Sequence, residues 1–425
     1  MGKFNIVLIS LDEVRPDHLG CYGYSDDLTP AIDEIARGGV RFTQCISSSD
    51  FTPVAMGSVI TGRNPNKHGM RDAFSHLAKP NIATILKENG YTTAGFVGNG
   101  LLSEKHDFSE GFDFWNEASK ETSWLEIQYP DAESRDVDEL IYEGNYWVDE
   151  LFSWLEANRT HTPFFVWGHL YETHEGAEES LLRKGVLEEG VLPEFGYYDA
   201  KIKMADENLI ARLIADLKQY GLWDNTIVVV MSDHGTNLGE HSARDIPWRK
   251  PGTKYPQHTT MYDHDLRIAL LLKGAGLPAG KAVDGLARGI DLVPTLLDLV
   301  GIDTSALDLD GESLLPAIES GLAAGREAYS EDLFEPRGKG AIHSLRTESA
   351  KFIRNLTLGE EEYYDLTADP LEQDNLLGST DGETLVAFRK KLNRMLFTRA
   401  PFAEAFSDTE REAINRRLQA LGYVD

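Results

Sequence analysis

The chain has 425 residues, of which 41% are hydrophobic and 26% charged, a composition typical of a globular protein with a sizeable core and not of a disordered one. Its 70 acidic and 41 basic side chains give a formal net charge of -29, which repels nucleic-acid phosphates and anionic lipid. Nucleic acid and membrane are therefore not expected as partners. A small anionic substrate would need a local positive centre, which a metal ion supplies.

The N-terminal segment and the cysteines indicate the compartment that we expect. The apolar run at 4–10 is followed at once by an acidic pair and lacks a small-residue cleavage pattern, so it predicts a buried strand and not a signal peptide. No apolar run reaches the roughly 18 residues of a membrane span. Cys21 and Cys45 do not suggest a disulfide framework and are expected to be free thiols. Together these features predict a cytoplasmic protein.

Strands and helices alternate along most of the chain. Continuous apolar runs predict buried strands, and 3.6-residue apolar spacing predicts helices. In chain order the predicted elements are a strand at 4–10, a helix at 30–38, a strand at 41–48, helices at 53–60 and 82–90, a strand at 91–99, a helix at 145–158, a strand at 163–170, a helix at 201–221, strands at 225–235 and 266–274, and a helix at 290–301. This order predicts an α/β fold with a doubly wound, mainly parallel sheet flanked by helices.

The pattern changes after about residue 325. Short antiparallel strands are predicted within 341–355 and 360–366, and charged amphipathic helices at 385–397 and 408–422. We therefore expect two domains, a larger one over 1–325 and a smaller C-terminal α+β subdomain over 326–425. The insertions at 100–144 and 175–200 are candidate lids, since substrate specificity in such folds lies in loops, although a plain surface excursion is an equal alternative.

Polar residues follow several of the predicted strands. In doubly wound sheets the ligand binds outside the carboxyl ends of the strands, so residues at these positions are candidates for the functional site. The candidates are Asp12–Glu13, Thr52, Asn99, His169–His174 and Asp233–His234.

Two of these positions carry residue types that bind metals. Asp12 and Glu13 come directly after the first strand, where carboxylates are costly unless they are solvated or coordinated. Asp233 and His234 end the strand predicted at 225–235, and they form an oxygen and nitrogen ligand pair suited to a divalent metal. A solvated loop for the first pair, and a turn with a loop histidine for the second, are the alternative interpretations.

Thr52 lies at the start of the helix predicted at 53–60. As the N-cap, with Pro53 in the first helical position, it has a plain structural role. A hydroxyl there also faces the positive end of the helix dipole and free N–H groups, which favour an alkoxide and a bound anion. Threonine is a weak nucleophile unless it is activated, and a metal held by Asp12, Asp233 and His234 would activate it.

Motifs along the whole chain resemble the sulfatase family of the alkaline phosphatase superfamily. NIVLISLDEVRPDHLGCYGY matches the family's opening strand and its Asp-Asp-x-Arg-x-Asp stretch. LWDNTIVVVMSDHGTNLGEHS is close to the metal-site motif, and the stretch from Thr52 to Gly62, followed by NPNKHGM, occupies the nucleophile segment. Further similar segments are TPAIDEIARGGVRF, HTTMYDHDLRIALLLKG, SLRTESAKFIRN, EEEYYDLTADPLEQDNL and INRRLQALGYV. The resemblance implies an alkaline phosphatase-like catalytic domain over 1–325.

The resemblance also implies roles for individual residues. Asp12, Asp233 and His234 are expected to be metal ligands, and Glu13 stands where many members have a second Asp. Thr52 lies in the place of the nucleophile and is expected to contact the metal as well. Expected substrate contacts are His174, in the place of a His that contacts the transferred group, His258, near a Lys or His that contacts substrate or protonates the leaving group, and Asn99, in the place of a Lys. For these three a structural role is an equal alternative.

The chain departs from the sulfatases at the nucleophile. They carry Cys or Ser within a Cys-x-Pro-x-Arg motif, because that residue is oxidised to formylglycine. Thr52 cannot give this aldehyde, and Val54 and Met56 replace the Pro and the Arg. Thr nucleophiles occur in related phosphodiesterases and phosphonate monoester hydrolases. The sequence therefore favours hydrolysis of a phosphodiester, or of a phosphonate or phosphate monoester, by attack of Thr52, with a His protonating the leaving alcohol.

Other activities stay open at this point. The alternatives are a sulfatase-like sulfuric ester hydrolase, a phosphoryl-alcohol transferase and a non-catalytic relative, of which the last is disfavoured by the intact candidate residues. One divalent ion is expected as cofactor, with manganese, zinc and calcium as candidates. A second ion held by Glu172, His174 and His258 is left open. The sequence indicates neither the natural substrate nor the oligomeric state.

Overall fold

The computed structural model describes residues 3–117, 146–173, 196–241, 260–333 and 340–397. The chain divides into two compact units, each made of three segments. The first unit comprises Met1–Arg41, Ile82–Ser232 and Ala269–Ala282, and the second comprises Phe42–Asn81, Asp233–Ile268 and Val283–Asp425. The domain boundary that we predicted at residue 325 stays a prediction.

The described residues form strands and helices in the following order. The strands are β1 (Asn5–Leu11), β2 (Val40–Ile46), β3 (Thr92–Val97), β4 (Phe114–Glu117), β5 (Phe164–Leu170), β6 (Thr226–Ser232), β7 (Arg267–Ile268), β8 (Leu270–Lys273), β9 (Lys281–Arg288), β10 (Leu322–Ala323), β11 (Ala328–Asp332), β12 (Ile342–Arg346), β13 (Ala350–Asn355) and β14 (Glu360–Asp365). The helices are α1 (Pro30–Gly38), α2 (Thr52–Thr61), α3 (Pro65–His68), α4 (Ile82–Glu88), α5 (Tyr146–Asn158), α6 (Tyr197–Ala205), α7 (Ala211–Gln219), α8 (Asp263–Leu266), α9 (Leu292–Leu299), α10 (Leu315–Ser320) and α11 (Gly382–Phe397). None of the helices in these ranges is both long and apolar enough to cross a membrane.

A large, mainly parallel sheet forms the core of the first unit. Its strands follow the order β8-β6-β1-β5-β3-β4. All pairs from β6 to β4 are parallel, whereas β8 runs antiparallel to β6. Every residue of β1, β5 and β6 is buried, as the continuous apolar runs predict for strands in the middle of a covered parallel sheet. The predicted α/β fold with helices flanking this sheet is confirmed.

Two sequence predictions for the first unit need correction. The strand predicted at 266–274 is interrupted at Ala269 and continues as β8, whose antiparallel direction an apolar run cannot reveal. Part of the candidate lid at 100–144 is core, because Leu101, Leu102 and Phe108 are fully buried and β4 pairs with β3. Most of the two candidate lids lies outside the described residues, which omit 118–145 and 174–195.

The long helix predicted at 201–221 begins earlier and contains a wider turn. Helix α6 starts at Tyr197, and a π-helical turn at Asp206–Ile210 joins it to α7. At this turn the Asp206 carboxylate accepts hydrogen bonds from the backbone N–H groups of Ala31 and Ile32, at 3.1 and 2.7 Å, and so satisfies the start of α1.

The second unit contains a four-stranded antiparallel sheet, in the order β11-β12-β13-β14. The stretch predicted as antiparallel strands at 341–355 is the hairpin of β12 and β13. Leu385 and Leu392 of α11 pack on Phe352 and Leu345 of this sheet. The helix predicted at 408–422 lies outside the described residues.

Candidate active site

Three buried polar residues of the first unit gather where adjacent strands end. His169 pairs in register with Ser10 of β1 and with Val97 of β3, so its side chain shares their face of the sheet. Asp12 and Asn99 each lie two residues beyond these partners. Asp12 Oδ2 lies 3.3 Å from Nε2 of His169 and accepts a 3.3 Å hydrogen bond from Nδ2 of Asn99. The predicted metal ligand Asp12 and the predicted substrate contact Asn99 are therefore brought together.

His169 was missed as a ligand candidate in the sequence, although it lay within a stretch of polar residues after a strand. Its ring is fully buried, and its Nδ1 lies 2.9 Å from the hydroxyl of Ser10. That hydroxyl also accepts a 3.0 Å hydrogen bond from Nε1 of Trp167. The register of β1 and β5 creates this contact, and one-dimensional spacing carries no information on register.

Glu13 adopts a backbone conformation that is unusual for a residue with a side chain. Its φ is 59°, in the left-handed region, which costs about 1–2 kcal/mol for a non-glycine residue. The hydroxyl of Tyr198 bridges this turn, since it donates to the carbonyl of Glu13 at 2.7 Å and accepts from the N–H of Arg15 at 2.8 Å. Glu13 is fully buried beside Asp12, and Tyr198 helps to hold the turn that places it there.

Thr52 is the first residue of α2 and not its N-cap, which corrects the sequence prediction by one position. The carbonyl of Phe51 accepts the first helical hydrogen bonds, from the N–H groups of Val54 and Ala55, both at 3.0 Å. The hydroxyl of Thr52 is turned instead to His234, with Oγ1 3.2 Å from Nε2. The nucleophile candidate is thus fully buried at a helix N-terminus and contacts a candidate metal ligand.

The hydrogen bonds of His234 define the state of its ring. Nδ1 lies 2.9 Å from the carbonyl oxygen of Gly235, which can only accept, so Nδ1 carries a proton. In the neutral ring Nε2 then presents a lone pair toward Thr52 Oγ1. Asp233 accepts the backbone N–H of His234 at 2.7 Å through Oδ1, and its Oδ2 lies 3.5 Å from Nε2.

Donor atoms within each unit are spaced like neighbouring ligands of a cation. The Asp12 Oδ2 to His169 Nε2 distance is 3.3 Å, and the distances from His234 Nε2 to Thr52 and Asp233 are 3.2 and 3.5 Å. Metal–ligand bonds of about 2.0–2.3 Å at tetrahedral or octahedral angles place adjacent donors about 3.0–3.5 Å apart. Within each unit taken by itself, these carboxylate, hydroxyl and imidazole donors have the spacing of neighbouring ligands of a divalent metal ion.

The other predicted site residues are only partly described. His174 and His258 lie outside the described residues. Of the candidates for a second ion only Glu172 is described, and burial raises the pKa of its carboxyl to about 7. His68 is fully buried, and its ring nitrogens contact the hydroxyl of Ser58 at 2.9 Å and the N–H of Met70 at 3.1 Å.

Comparison with known proteins decides the family of the chain. A model of the family described as sulfatase matches residues 4–302, about two thirds of the chain, and a model described as the C-terminal region of N-sulphoglucosamine sulphohydrolase matches residues 254–398. The chain belongs to the sulfatase family. Sulfatase-family members belong to the alkaline phosphatase superfamily and hydrolyse esters, so the chain is a hydrolase that acts on ester bonds.

Individual relatives cover nearly the whole chain. An ulvan-active sulfatase of Formosa agariphila is 29% identical over 93% of this chain and 81% of its own length. A structure solved in complex with its substrate, D-glucosamine-2-N,6-O-disulfate, has a TM-score of 0.71 at 21% identity and covers 93% of this chain and 98% of its own. A phosphonate monoester hydrolase of Agrobacterium radiobacter has a TM-score of 0.67 at 21% identity, with 93% and 95% covered.

These relatives shift the balance between the activities that the sequence left open. Most of them are sulfatases and some are phosphonate monoester hydrolases, so the sulfuric ester hydrolase that was the alternative is better supported than the phosphoester hydrolase that was preferred. Sulfatase-family proteins are metal-dependent, typically with calcium or magnesium.

Proposed function

We propose that this sulfatase-family chain is a metal-dependent hydrolase of sulfate esters, with Thr52 as the attacking group. The observation that carries the proposal is the contact between the hydroxyl of Thr52 and Nε2 of His234 at the N-terminus of α2, in a chain whose relatives are mostly sulfatases. Among these relatives the sulfatase of Formosa agariphila is described as active on ulvan, which makes ulvan the first natural substrate to test.

The residues that would hold the cation are the ones that the family motifs imply, Asp12, Glu13, Thr52, Asp233 and His234. They supply oxygen donors and one imidazole, a set that binds divalent metals. When bound, the cation supplies positive charge that stabilises the anionic ester group and lowers the pKa of a hydroxyl ligand.

The chain's own groups orient the attack. In this structure Nε2 of His234 presents its lone pair to the hydroxyl of Thr52, and with the cation bound that lone pair and Oγ1 of Thr52 would both turn to the ion. The first N–H groups of α2 face the same point and favour an anion there. In the proposed reaction the hydroxyl of Thr52 gives up its proton to water, Oγ1 attacks the sulfur, and the bond between the sulfur and the ester oxygen breaks as the departing alcohol takes a proton. Water then attacks the sulfur, which releases sulfate and restores the hydroxyl of Thr52. We keep His258 and His174 as candidates for the group that gives this proton.

A second candidate function is hydrolysis of phosphonate monoesters or phosphodiesters. The observation that favours it is the identity of residue 52, since threonine cannot form the formylglycine of the sulfatases that the chain resembles. Val54 and Met56, in place of the family's Pro and Arg, are both fully buried in α2. A tetrahedral phosphoryl group carries a charge different from that of a sulfuryl group, and only turnover distinguishes the two.

A matched panel of p-nitrophenyl esters tests both candidates. The sulfate, the phosphate monoester, the phosphate diester and the phosphonate monoester are assayed with metal-stripped protein and after addition of manganese, zinc, calcium or magnesium. Metal-dependent turnover of the sulfate that is lost in Thr52→Ala and retained in Thr52→Ser supports the proposal. Turnover of the diester or phosphonate alone transfers the assignment to the second candidate, and activity that survives Thr52→Ala refutes the assignment of the nucleophile.

A further inference from the structure

We infer that strand β11 positions the nucleophile, because its residues Ser330 and Glu331 fix the chain before and after helix α2, which begins with Thr52. Neither residue is proposed to touch the substrate or the ion, so both are positioning residues. The inference rests on the proposed role of Thr52 as the attacking group and deepens it. All of the contacts on which it is built lie within the second unit.

The segment between β2 and α2 is buried but forms neither a helix nor a strand. Its residues, 47–51, are at most 4% exposed. Buried backbone groups need hydrogen-bond partners, which such a segment lacks from a regular ladder of its own. Strand β11, at the edge of its sheet, supplies two of them. The hydroxyl of Ser330 donates to the carbonyl of Ser47 at 2.6 Å. The N–H of Glu331 donates to the carbonyl of Ser48 at 3.0 Å.

Hydrogen bonds continue from this anchor to the N-cap of α2. The hydroxyl of Ser47 donates to the carbonyl of Ser49 at 2.8 Å, and the hydroxyl of Ser49 accepts the N–H of Phe51 at 3.2 Å. The carbonyl of Phe51 then accepts the first hydrogen bonds of α2, and Thr52 is the next residue. A displacement of Ser47 is therefore passed along a connected, buried segment to Thr52.

Glu331 also holds the chain beyond α2. Its carboxylate accepts two parallel hydrogen bonds from Arg71, one from Nε and one from Nη2, both at 2.6 Å. A forked, charge-assisted contact of this kind fixes direction as well as distance. The preceding residue, Met70, donates its N–H to the ring of His68, which contacts the hydroxyl of Ser58 in α2. The chain on both sides of the helix is thus held by β11.

These contacts bear on the rate because attack depends on position. A displacement of about 1 Å can lower the rate of a reaction between bound groups by about 10²-fold. Removing the hydroxyl of Ser330 leaves the buried carbonyl of Ser47 without this donor, which is costly unless the segment shifts. The loss should appear in kcat and not in KM, because neither residue of β11 is proposed to contact the substrate.

Two buried serines in neighbouring strands supply the test variant and its control. Ser344 in β12 is the register partner of Ser330, and both are fully buried. The hydroxyl of Ser344 finds no hydrogen-bond partner among the described residues, whereas that of Ser330 donates to Ser47. Ser330→Ala and Ser344→Ala therefore remove the same atom from paired positions, and only the first breaks the contact with the segment before Thr52. Glu331→Gln weakens the forked contact and tests the other side of α2.

Steady-state kinetics and amide hydrogen exchange on the full-length variants decide the inference. With the p-nitrophenyl ester that turns over fastest, we expect Ser330→Ala and Glu331→Gln to lower kcat about 10- to 100-fold, with KM within about twofold of wild type. Ser344→Ala should change neither constant. Exchange over residues 47–56 should rise in Ser330→Ala and stay at the wild-type level in Ser344→Ala. Equal losses of kcat in the two serine variants, a loss that appears in KM, or unchanged exchange in Ser330→Ala would each overturn the inference.

The Thr52→Ala variant separates this inference from the proposed function. A kcat that falls in Thr52→Ala but not in Ser330→Ala leaves the nucleophile in place and removes the positioning role. A kcat that survives Thr52→Ala removes both the nucleophile and its positioning. In a protein that hydrolyses none of the esters the proposed function fails, and exchange over 47–56 alone decides whether β11 fixes the segment that leads to Thr52.

Discussion

Buried carboxylates occur in two regions of this molecule, and they are stabilised in different ways. In the second unit Lys351 contacts Asp263 at 2.5 Å and Glu372 at 2.7 Å, and Arg346 contacts Asp263 at 2.9 Å. In the first unit the contacts of Asp12 described above come from an amide and an imidazole. The carboxylates of the second unit are therefore neutralised by the chain's own lysine and arginine side chains, as in a structural ion cluster. The groups around Asp12 in the first unit tolerate a cation from outside the chain, and in our proposal they require one.

The largest effect is expected from removing the hydroxyl of Thr52 at the candidate active site. Thr52→Ala should lower kcat for the best ester by at least about 10³-fold, because loss of a nucleophile removes a step that water alone replaces poorly. Steady-state kinetics beside Thr52→Ser measure this. A comparable loss in Thr61→Ala, a buried threonine of the same helix whose hydroxyl donates to the carbonyl of Gly57, would indicate damage to α2 instead.

The ion cluster of the second unit is tested by removing the ammonium group of Lys351. Lys351→Met should lower the free energy of unfolding by about 3–5 kcal/mol, because it leaves the buried Glu372 and the largely buried Asp263 without their ammonium partner. Urea unfolding measures the loss, and added metal should not restore it. Lys391→Met is the control, since its ion pair with Glu327 is half exposed and should contribute less than about 1 kcal/mol. Equal losses in the two variants would contradict the distinction.

His68 gives a third case, a buried titratable group satisfied by neutral partners. Burial lowers its pKa from 6.5 to about 3, and its contacts with Ser58 and Met70 use the neutral ring. Between these two pKa values the unfolded chain binds a proton on this ring and the folded chain does not. The free energy of unfolding is therefore at its full value above about pH 6.5 and falls as the pH drops toward 3, by about 3 kcal/mol at pH 4. Urea unfolding from pH 7 to pH 4 should show a shallower decline in His68→Gln. An unchanged slope would refute the assignment.

The smallest effect concerns the strained turn at Glu13. Tyr198→Phe removes the hydroxyl that joins the carbonyl of Glu13 to the N–H of Arg15, so the turn should loosen and the affinity for the metal should fall about tenfold. Calorimetry with Mn²⁺ measures the change. Tyr24→Phe loses a hydroxyl that donates to Asp199 and should bind the metal normally. A loss shared by both variants would indicate a general effect of this region on the fold.

The sequence predicts the parts of this structure that depend on local pattern. Helix α1 occupies the predicted residues 30–38, and β1, β5 and β6 follow the apolar runs to within a few residues. The direction of a strand and the identity of its neighbours in the sheet cannot be predicted in this way, because parallel and antiparallel strands have the same apolar pattern. The direction of β8 and the place of β4 in the sheet were therefore not predicted.

The same limit applies to the candidate site. Asp12, Asp233, His234 and Thr52 are visible because each follows an apolar strand or opens a helix, and the family motifs mark them. The contact of His169 with Asp12 follows from its register with Ser10, and the N-cap of α2 is fixed by the carbonyl of Phe51, so both require coordinates. The pairing of Tyr198 with Glu13 joins residues 185 positions apart, which no spacing rule reaches.

The π-helical turn at Asp206–Ile210 sets the angular phase between two halves of one long helix. Each residue advances an α-helix by about 100°, so a single extra residue in the wide turn rotates everything before it relative to everything after it. The first half presents Tyr198 to the Glu13 turn, while the second anchors Leu213, Ile214 and Leu217 in the core. Deleting one residue from this turn would leave the second half packed in the core and rotate Tyr198 away from the carbonyl of Glu13. The extra residue of the π-helical turn is therefore what orients Tyr198 toward the Glu13 turn.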